Sequence, residues 1–323
     1  ANTRKSGTRN PCFIGGNGGK CLAAIGGTQT PHEKRKQEAL ANASISSNFT
    51  VFYAEKASSA LHLSLRCKGI SMASTAAHQS TPSTVDPEEI EKFSRMADEW
   101  WDPKGKFRPL HQLNPTRIGY LREHICAHFS KDADSLHALS GVTILDVGCG
   151  GGLVSEPLAR MGAEVTGLDA AEKNIRIAQT HADAQQLPIT YRHGSAEQLA
   201  AEGAQYDVVC ALEIIEHVAD VPMFVQTLAQ LVRPGGLLFL STLNRTPKSY
   251  LMAIVGAEYV LRLLPRGTHE WKKFLRPSEL QAHLRDAELE LIDQRGLVLD
   301  PFSRTWKLHT HDLDVNYLQV AKK

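Results

Sequence analysis

The 323-residue chain has no apolar run that reaches the roughly 18 to 20 residues a membrane-spanning helix needs, so its sequence predicts no crossing of a bilayer. It has little cysteine organisation either. Six cysteines, Cys12, Cys21, Cys67, Cys126, Cys149 and Cys210, are scattered without a C-x-x-C pair or a metal-finger spacing. That pattern excludes a disulfide scaffold and a structural zinc finger, and it points to a reducing compartment. Strong charge is missing as well, since 36 Lys and Arg against 35 Asp and Glu leave a net +1. The near-cancellation hides an asymmetry: up to Ser71 there are ten basic residues against three acidic, and beyond it 26 against 32. A net-acidic main portion lacks the basic face that a nucleic-acid partner would require.

Residues 1–84 are rich in Gly, Ser, Thr and Ala and poor in acids, a composition that buries too little surface to fold and is expected to be disordered. An Arg-containing, Ser-rich, acid-poor leader also matches an organelle transit peptide, with residues 49–68 as its amphipathic part. The competing reading is upstream sequence without function, because Met72-Ala-Ser-Thr reads equally well as an initiator. From Val85 the character changes. Asp86-Pro-Glu-Glu predicts an N-cap, a proline in the first turn and acids at the positive helix end, with helix to about Trp101. Trp100-Trp-Asp-Pro breaks it, and a second helix is expected from Pro115 to Phe129.

The stretch that organises the rest is Val142-Thr-Ile-Leu-Asp-Val-Gly-Cys-Gly-Gly-Gly152, a β-branched apolar run ending in glycines, followed by apolar residues at helical spacing. Glycine removes the Cβ atoms that would hold a ligand off the backbone, and the amides opening the helix are expected to be unused donors. Dinucleotide enzymes use a similar turn, but their fingerprint requires Gly or Ala at the third glycine position, where Leu153 stands. Asp146, two residues before Gly148, would repel a pyrophosphate and suits a cation. A second apolar run ends in Asp169, where a carboxylate takes the ribose hydroxyls of a nucleoside. A positively charged nucleoside is therefore the expected ligand, and S-adenosylmethionine fits.

Onward from Val142 the alternation predicts a parallel sheet with crossover helices. Strands are expected near 142–147, 164–168, 189–193, 206–212, 236–241, 289–299 and 315–321, with helices near 151–161, 172–184, 221–232 and 277–286. Asp146-Val-Gly-Cys-Gly-Gly-Gly152, Gly167-Leu-Asp169, Glu213-Ile-Ile-Glu-His-Val218 and Arg233-Pro-Gly-Gly236 resemble, in order and spacing, the class I S-adenosylmethionine-dependent methyltransferases. More narrowly, Trp100-Trp-Asp102, Phe107-Arg-Pro-Leu-His111, Asn114-Pro-Thr-Arg117, Ser241-Thr-Leu-Asn-Arg245, Val255-Gly-Ala-Glu-Tyr259, Gly267-Thr-His269 and Asp314-Val-Asn-Tyr317 resemble the ubiquinone-biosynthesis O-methyltransferases, which act on polyprenyl catechols. The likeness runs from about Val85 to the C-terminus.

That resemblance implies an α/β Rossmann-like domain over 141–323, seven strands in the order 3-2-1-4-5-7-6 with the last antiparallel, and a helical cover over 85–140. It implies that Arg117 holds the methionine carboxylate of S-adenosylmethionine, a task suited to the two parallel donors of a guanidinium. The alternative for Arg117 is a solvated helix arginine. His111 is either a polar residue on the ligand side or a loop histidine satisfied by backbone. Gly148 and Gly150 would admit the cofactor, Asp146 would place its amino group, Asp169 its ribose and Leu212 its adenine, with Ser195 or Ala196 at the adenine edge.

Strand four ends in Glu213-Ile-Ile-Glu-His217, where residues at i, i+3 and i+4 would share one face if the chain has turned helical. Two carboxylates and an imidazole suit Mg²⁺, which would lower the pKa of a chelated catechol, and the family's metal positions match Glu213, Glu216 and His217. The alternative is an ordinary turn without metal, with His217 as general base. Residues 249–274 form an insertion with apolar and cationic positions, suited to lying on anionic lipid, to packing on the domain or to forming a dimer. The resulting expectation is an O-methyltransferase for polyprenylated catechols, lying peripherally on the matrix side of the mitochondrial inner membrane or, in a bacterium, at the cytoplasmic face. The alternatives are a methyltransferase for a soluble molecule and a non-catalytic scaffold of a biosynthetic complex.

Overall fold

The structure, a computed structural model, describes residues 83–252, 254, 270–300, 303 and 305–323. The leader through residue 82, its 49–68 stretch and residues 253 and 255–269 of the insertion lie outside the described residues. The chain opens with α1 (Pro87–Met96), where Asp86 caps by accepting from the Glu88 amide at 3.0 Å. That helix ends sooner than expected, passing into a single tight turn over Ala97–Glu99. Next comes α2 (Arg108–His128), seven residues longer at its start than the sequence suggests. Pro115 lies inside it rather than at its head, because Leu113, Tyr120 and Leu121 are all buried and packing holds one continuous helix through the lost backbone bond.

The remainder is built on a sheet of β1 (Thr143–Val147), β2 (Glu164–Asp169), β3 (Thr190–His193), β4 (Tyr206–Leu212), β5 (Val232–Leu243), β6 (Glu290–Asp300), β7 (Thr305–His309) and β8 (Asn316–Lys322). Between them run α3 (Ser155–Arg160), α4 (Glu172–Ala184), α5 (Ala196–Ala201), α6 (Val221–Leu231) and α7 (Pro277–Asp286). The strand order is β3-β2-β1-β4-β5-β8-β6-β7, eight strands rather than the expected seven. The extra member is β7, which folds back on β6 as an antiparallel edge strand; Trp306 and Leu308 alternate inward there within a run too short and polar to announce itself. Without β7 the order is the expected one, and β8 is antiparallel to both β5 and β6.

Side-chain alternation divides the core into two layers. Ile144, Val208, Cys210, Leu237 and Phe239 face α2, α3 and α4, while Leu145, Val209, Ala211, Leu238 and Leu240 face α6 and α7. Asp207, nearly fully buried, ties the start of β1 to β4 by accepting from the Thr143 amide and hydroxyl at 2.8 and 2.9 Å, and it pairs with Arg233. These parallel strands bring the carboxyl ends of β1, β2 and β4 to one edge. Gly296 in β6 leaves no room for a side chain, since a Cβ there would strike the backbone of Asp312. Gly296→Ala is expected to lower stability by about 1–3 kcal/mol, whereas Gly119→Ala, in open space on α2, should raise it by about 0.5–1 kcal/mol. Urea midpoints of the two variants check this, and equal midpoints would contradict the packing described.

Candidate active site

A cleft opens where β1, β2 and β4 end, and the segment from Thr84 to Leu110 covers it. Arg117, Asp146, Gly148, Gly150, Asp169, Leu212, Glu213 and His217 all line it, with Ser195 and Ala196. Glu216 is the exception, 3% exposed and set behind the wall. The backbone turns at Gly148, Gly150 and Gly152 with φ of +72°, +53° and +90°, values that favour glycine. Its amides are not the idle donors expected from sequence. Those of Gly148 and Cys149 donate to the Leu168 carbonyl at 2.7 and 3.0 Å, and that of Gly150 donates to Asp169 Oδ2 at 2.9 Å. The missing side chains serve a further end, because Cβ atoms at 150 and 151 would collide with the Trp100 indole of the cover. Trp100 Nε1 donates to Asn174 Oδ1 at 2.9 Å, its ring stacks on Phe107 at 3.7 Å, and Trp101 Nε1 donates to the Gly151 carbonyl at 2.9 Å.

Asp169 already accepts three hydrogen bonds, from Gly150, from the Ala171 amide at 2.8 Å and from Asn174 Nδ2 at 3.1 Å. A carboxylate has about four acceptor positions, so one ribose hydroxyl can join without rearrangement and a second must displace a donor. Burial raises the pKa of this group, and the three N–H donors pull it back. Ser195 caps α5 and pairs reciprocally with Gln198, which holds the loop after β3 at the cleft wall.

Arg117 and Asp146 form the charged floor. Arg117 is 2% exposed, which removes the solvated-arginine reading; Nη2 donates to Asn114 Oδ1 at 3.1 Å, and Nε has no partner. Burial lowers its pKa, opposed by the charges of Glu213 and Asp146. Asp146 accepts from Ser155 Oγ at 2.6 Å, and burial pushes it up to about 6 against that bond and the pull of Arg117. A buried donor with its hydrogen unused is costly, and because the Arg117 side chain lines the cleft a ligand carboxylate there would offset the burial of the guanidinium. His111 Nε2 bonds the Trp100 carbonyl at 2.8 Å, so the ring is satisfied by backbone, though on α2 rather than in a loop.

After β4 the backbone takes φ +55° at Glu213, a left-handed conformation unusual outside glycine, and then a tight turn over Ile215–His217. The expected helical face is therefore absent. Glu213 accepts from Ser241 Oγ at 2.8 Å and Glu216 from Thr242 Oγ1 at 2.7 Å, while His217 Nδ1 bonds Glu89 Oε2 at 2.9 Å. Burial and then the charge of Glu213 push Glu216 up to about 8, against the Thr242 bond. Glu89 lies at about 2, held down against burial by His217 and Lys92. The donor types suit a hard divalent cation, and one would relieve the repulsion between the two carboxylates. As a coordination sphere the three do not fit, since no three such side chains are gathered for a metal among the described residues.

A methyltransferase-domain family profile matches residues 145–240. The ubiquinone biosynthesis O-methyltransferase of Roseobacter denitrificans is 53% identical over 245 residues, which is 76% of this chain and 99% of that protein. Its namesake in Azorhizobium caulinodans is 52% identical over 240 residues, 74% of this chain and 94% of that one. The chain belongs to the ubiquinone biosynthesis O-methyltransferase family. It is thus an S-adenosylmethionine-dependent methyltransferase. Among solved structures, the magnesium protoporphyrin IX methyltransferase of Synechocystis PCC 6803 with bound S-adenosylhomocysteine shares the fold. It is 21% identical with a TM-score of 0.52, covering 72% of this chain and 94% of that one.

For a member of this family, sequence reasoning missed Glu89, Phe93 and Asn174, and it read Ser241 and Thr242 only as part of a motif, without their bonds to Glu213 and Glu216; all five touch the residues named above. Asn174 had a legible position, five residues beyond Asp169 on the next helix; the others come from distant segments. A pH test follows from Asp146. Its folded value of about 6 stands above the ordinary 3.8, so the native state holds a proton that the unfolded chain has released. Its contribution to stability therefore declines as pH rises from about 4 to about 6 and is level above that. Urea midpoints of parent and Asp146→Asn should move in favour of the variant across that interval, and parallel curves would contradict the burial described.

Proposed function

We propose that this chain moves a methyl group from S-adenosylmethionine to a catechol hydroxyl of a polyprenylated ubiquinone precursor, 3,4-dihydroxy-5-polyprenylbenzoate or demethylubiquinol. The observation that carries the reading is the buried Arg117 guanidinium, its Nε unpartnered, which lines one cleft together with the buried Asp146 carboxylate and His217. Arg117 would take the carboxylate of the methionine moiety, Asp146 its amino group, Asp169 the ribose and Leu212 the adenine, with Gly148 and Gly150 admitting the ligand. When bound, S-adenosylmethionine supplies an electrophilic methyl on a sulfonium and leaves as neutral S-adenosylhomocysteine.

The chain's own contribution is alignment and one proton. His217 takes the catechol hydroxyl proton, with Glu89 holding the other side of the ring, as the oxygen lone pair forms its bond to the methyl carbon. Electrons of the breaking carbon–sulfur bond go to sulfur, and the imidazolium later returns its proton to solvent. Such a displacement is accelerated chiefly by holding donor and nucleophile in line. Trp100, Phe93 and Leu110 close the cleft from the cover side and exclude water from the reacting atoms. The alternative to His217 as base is Mg²⁺ assistance at the acidic turn, supported by the donor types of Glu213, Glu216 and His217, which would have to regroup from the separate hydrogen bonds each makes here.

The isoprenoid tail would stay in lipid, with residues 249–274 lying on the surface. Support comes from Tyr250, Leu251 and Met252, exposed by 48, 62 and 48% at the start of that segment. Among the described residues no helix is long and apolar enough to cross a membrane. A transit peptide over residues 1–84, attachment to the matrix side of the mitochondrial inner membrane, and association with other enzymes of the pathway belong to the same proposal. The relatives compared above are bacterial, which accommodates the alternative of membrane attachment from a bacterial cytoplasm.

The decisive test is methyl transfer to a short-chain catechol, with S-adenosylhomocysteine binding followed by calorimetry. The parent should bind and turn over, and Asp169→Ala and Arg117→Ala should each lose roughly 10- to 100-fold in affinity, the weight of a charged hydrogen bond or two. Parental affinity in both variants would overturn the placement of the ligand. Under the metal alternative, chelation by EDTA should lower turnover, with Mg²⁺ restoring it; activity indifferent to both removes the metal from the proposal. Liposome flotation should weaken in a Leu251→Asp, Met252→Asp variant, and unchanged flotation argues against lipid contact there.

A further inference from the structure

The cover helix does more than close the cleft. Glu89 and Phe93 lie one turn apart on α1 and both meet His217, which follows them by more than a hundred residues in sequence. Glu89 Oε2 is 2.9 Å from Nδ1, and the Phe93 ring meets the imidazole edge-on at 5.1 Å and 86°. Residues at i and i+4 present one face of a helix, so α1 fixes the ring in both position and rotation. The Glu89 charge is itself held in place by Lys92 at 3.1 Å and by Lys273 at 3.8 Å. Lys273 also reaches Asp86 at 3.4 Å.

We propose that Glu89 is a positioning residue of this active site, holding the imidazole of His217 through Nδ1 so that the ring is set for catalysis only while α1 lies over the cleft. The inference rests on the methyl-transfer reading above. It makes closure of the cover a condition for chemistry as well as for retention of the cofactor. The fastenings of α1 lie on the core: the Thr84 amide donates to Glu197 Oε1 at 3.1 Å, the Ala219 amide donates to the Thr84 carbonyl at 2.8 Å, and Lys173 pairs with Asp98 at 2.6 Å. Raising the helix would break these contacts and release His217 together. An open enzyme then binds and exchanges cofactor without an oriented base, and the proton is taken only after enclosure.

The test uses the full chain carrying Glu89→Ala, Glu89→Gln or Glu89→Asp, with S-adenosylhomocysteine affinity by calorimetry and with kcat and KM for a short-chain catechol. Glu89→Ala should reduce kcat by roughly 10- to 100-fold, a portion of what a placed base contributes. Affinity and KM should change by less than about threefold, and Glu89→Gln, which keeps an acceptor oxygen for Nδ1–H, should recover much of the loss. A kcat for Glu89→Ala within about twofold of the parent overturns the proposal, and so does a loss of kcat matched by an equal loss of affinity, which marks a merely structural cover. Should Glu89→Ala fail to fold, the nitrogen resonances of His217 in Glu89→Gln decide: they should shift from those of the parent, and identical signals overturn the role. A parent chain that binds S-adenosylhomocysteine while the variants behave as wild type defeats this inference alone. A parent that binds none defeats the methyl-transfer reading beneath it.

Discussion

The indole of Trp100 lies where the side chains of residues 150 and 151 would be, and the rest of the site depends on that contact. Burying an aromatic ring of this size against backbone is worth kilocalories only if nothing intervenes, so any Cβ in the turn would separate cover from core. With the glycines bare, Met96, Ala97, Trp100 and Phe107 form a small apolar cluster on Leu153. The cover can then carry Glu89 and Phe93 over the cleft from one side, while α2 carries Arg117 into it from the other. Leu153 accordingly has two meanings. It departs from the dinucleotide fingerprint in sequence, and in space it is the floor on which the cover rests.

Enclosure has an electrostatic consequence. Arg117, Asp146 and Glu216 are all removed from water, and their proton affinities move in the directions burial dictates. A site of this kind is strained toward a ligand that carries both signs of charge. In the proposed reading an amino acid moiety would supply a carboxylate for the guanidinium and an ammonium for the aspartate, and binding would relieve both penalties together. The turn after β4 shows the same economy of strain. Glu213 holds a left-handed backbone, fastened by two bonds from its amide to Ser241, and that kink turns Glu216 inward and His217 toward α1.

The fold was largely legible because its sheet is built from short apolar runs separated by helix signals, and the strands near the site fell within a residue or two of expectation. What was misread has local causes. β7 is an edge strand with too little burial to show a strong pattern, and α2 runs through a proline that ordinarily marks a helix start. At the site, the glycines, Asp146, Asp169 and the acidic turn after β4 were visible because they sit at strand ends, where topology alone places a ligand. Their hydrogen bonds were not visible, and so idle amides and a single metal-binding face were expected where the chain has spent those groups on itself.

Sequence by itself determined that Gly148, Asp146 and Asp169 come to one edge of a parallel sheet, since chain connectivity forces them there. It also determined the family, because the motifs extend through most of the chain. Only the tertiary structure decided which groups stand beside one another in the cleft. The Glu89–His217 contact and the Trp100 packing join segments far apart in the chain, and no pattern of period two or 3.6 records such a meeting.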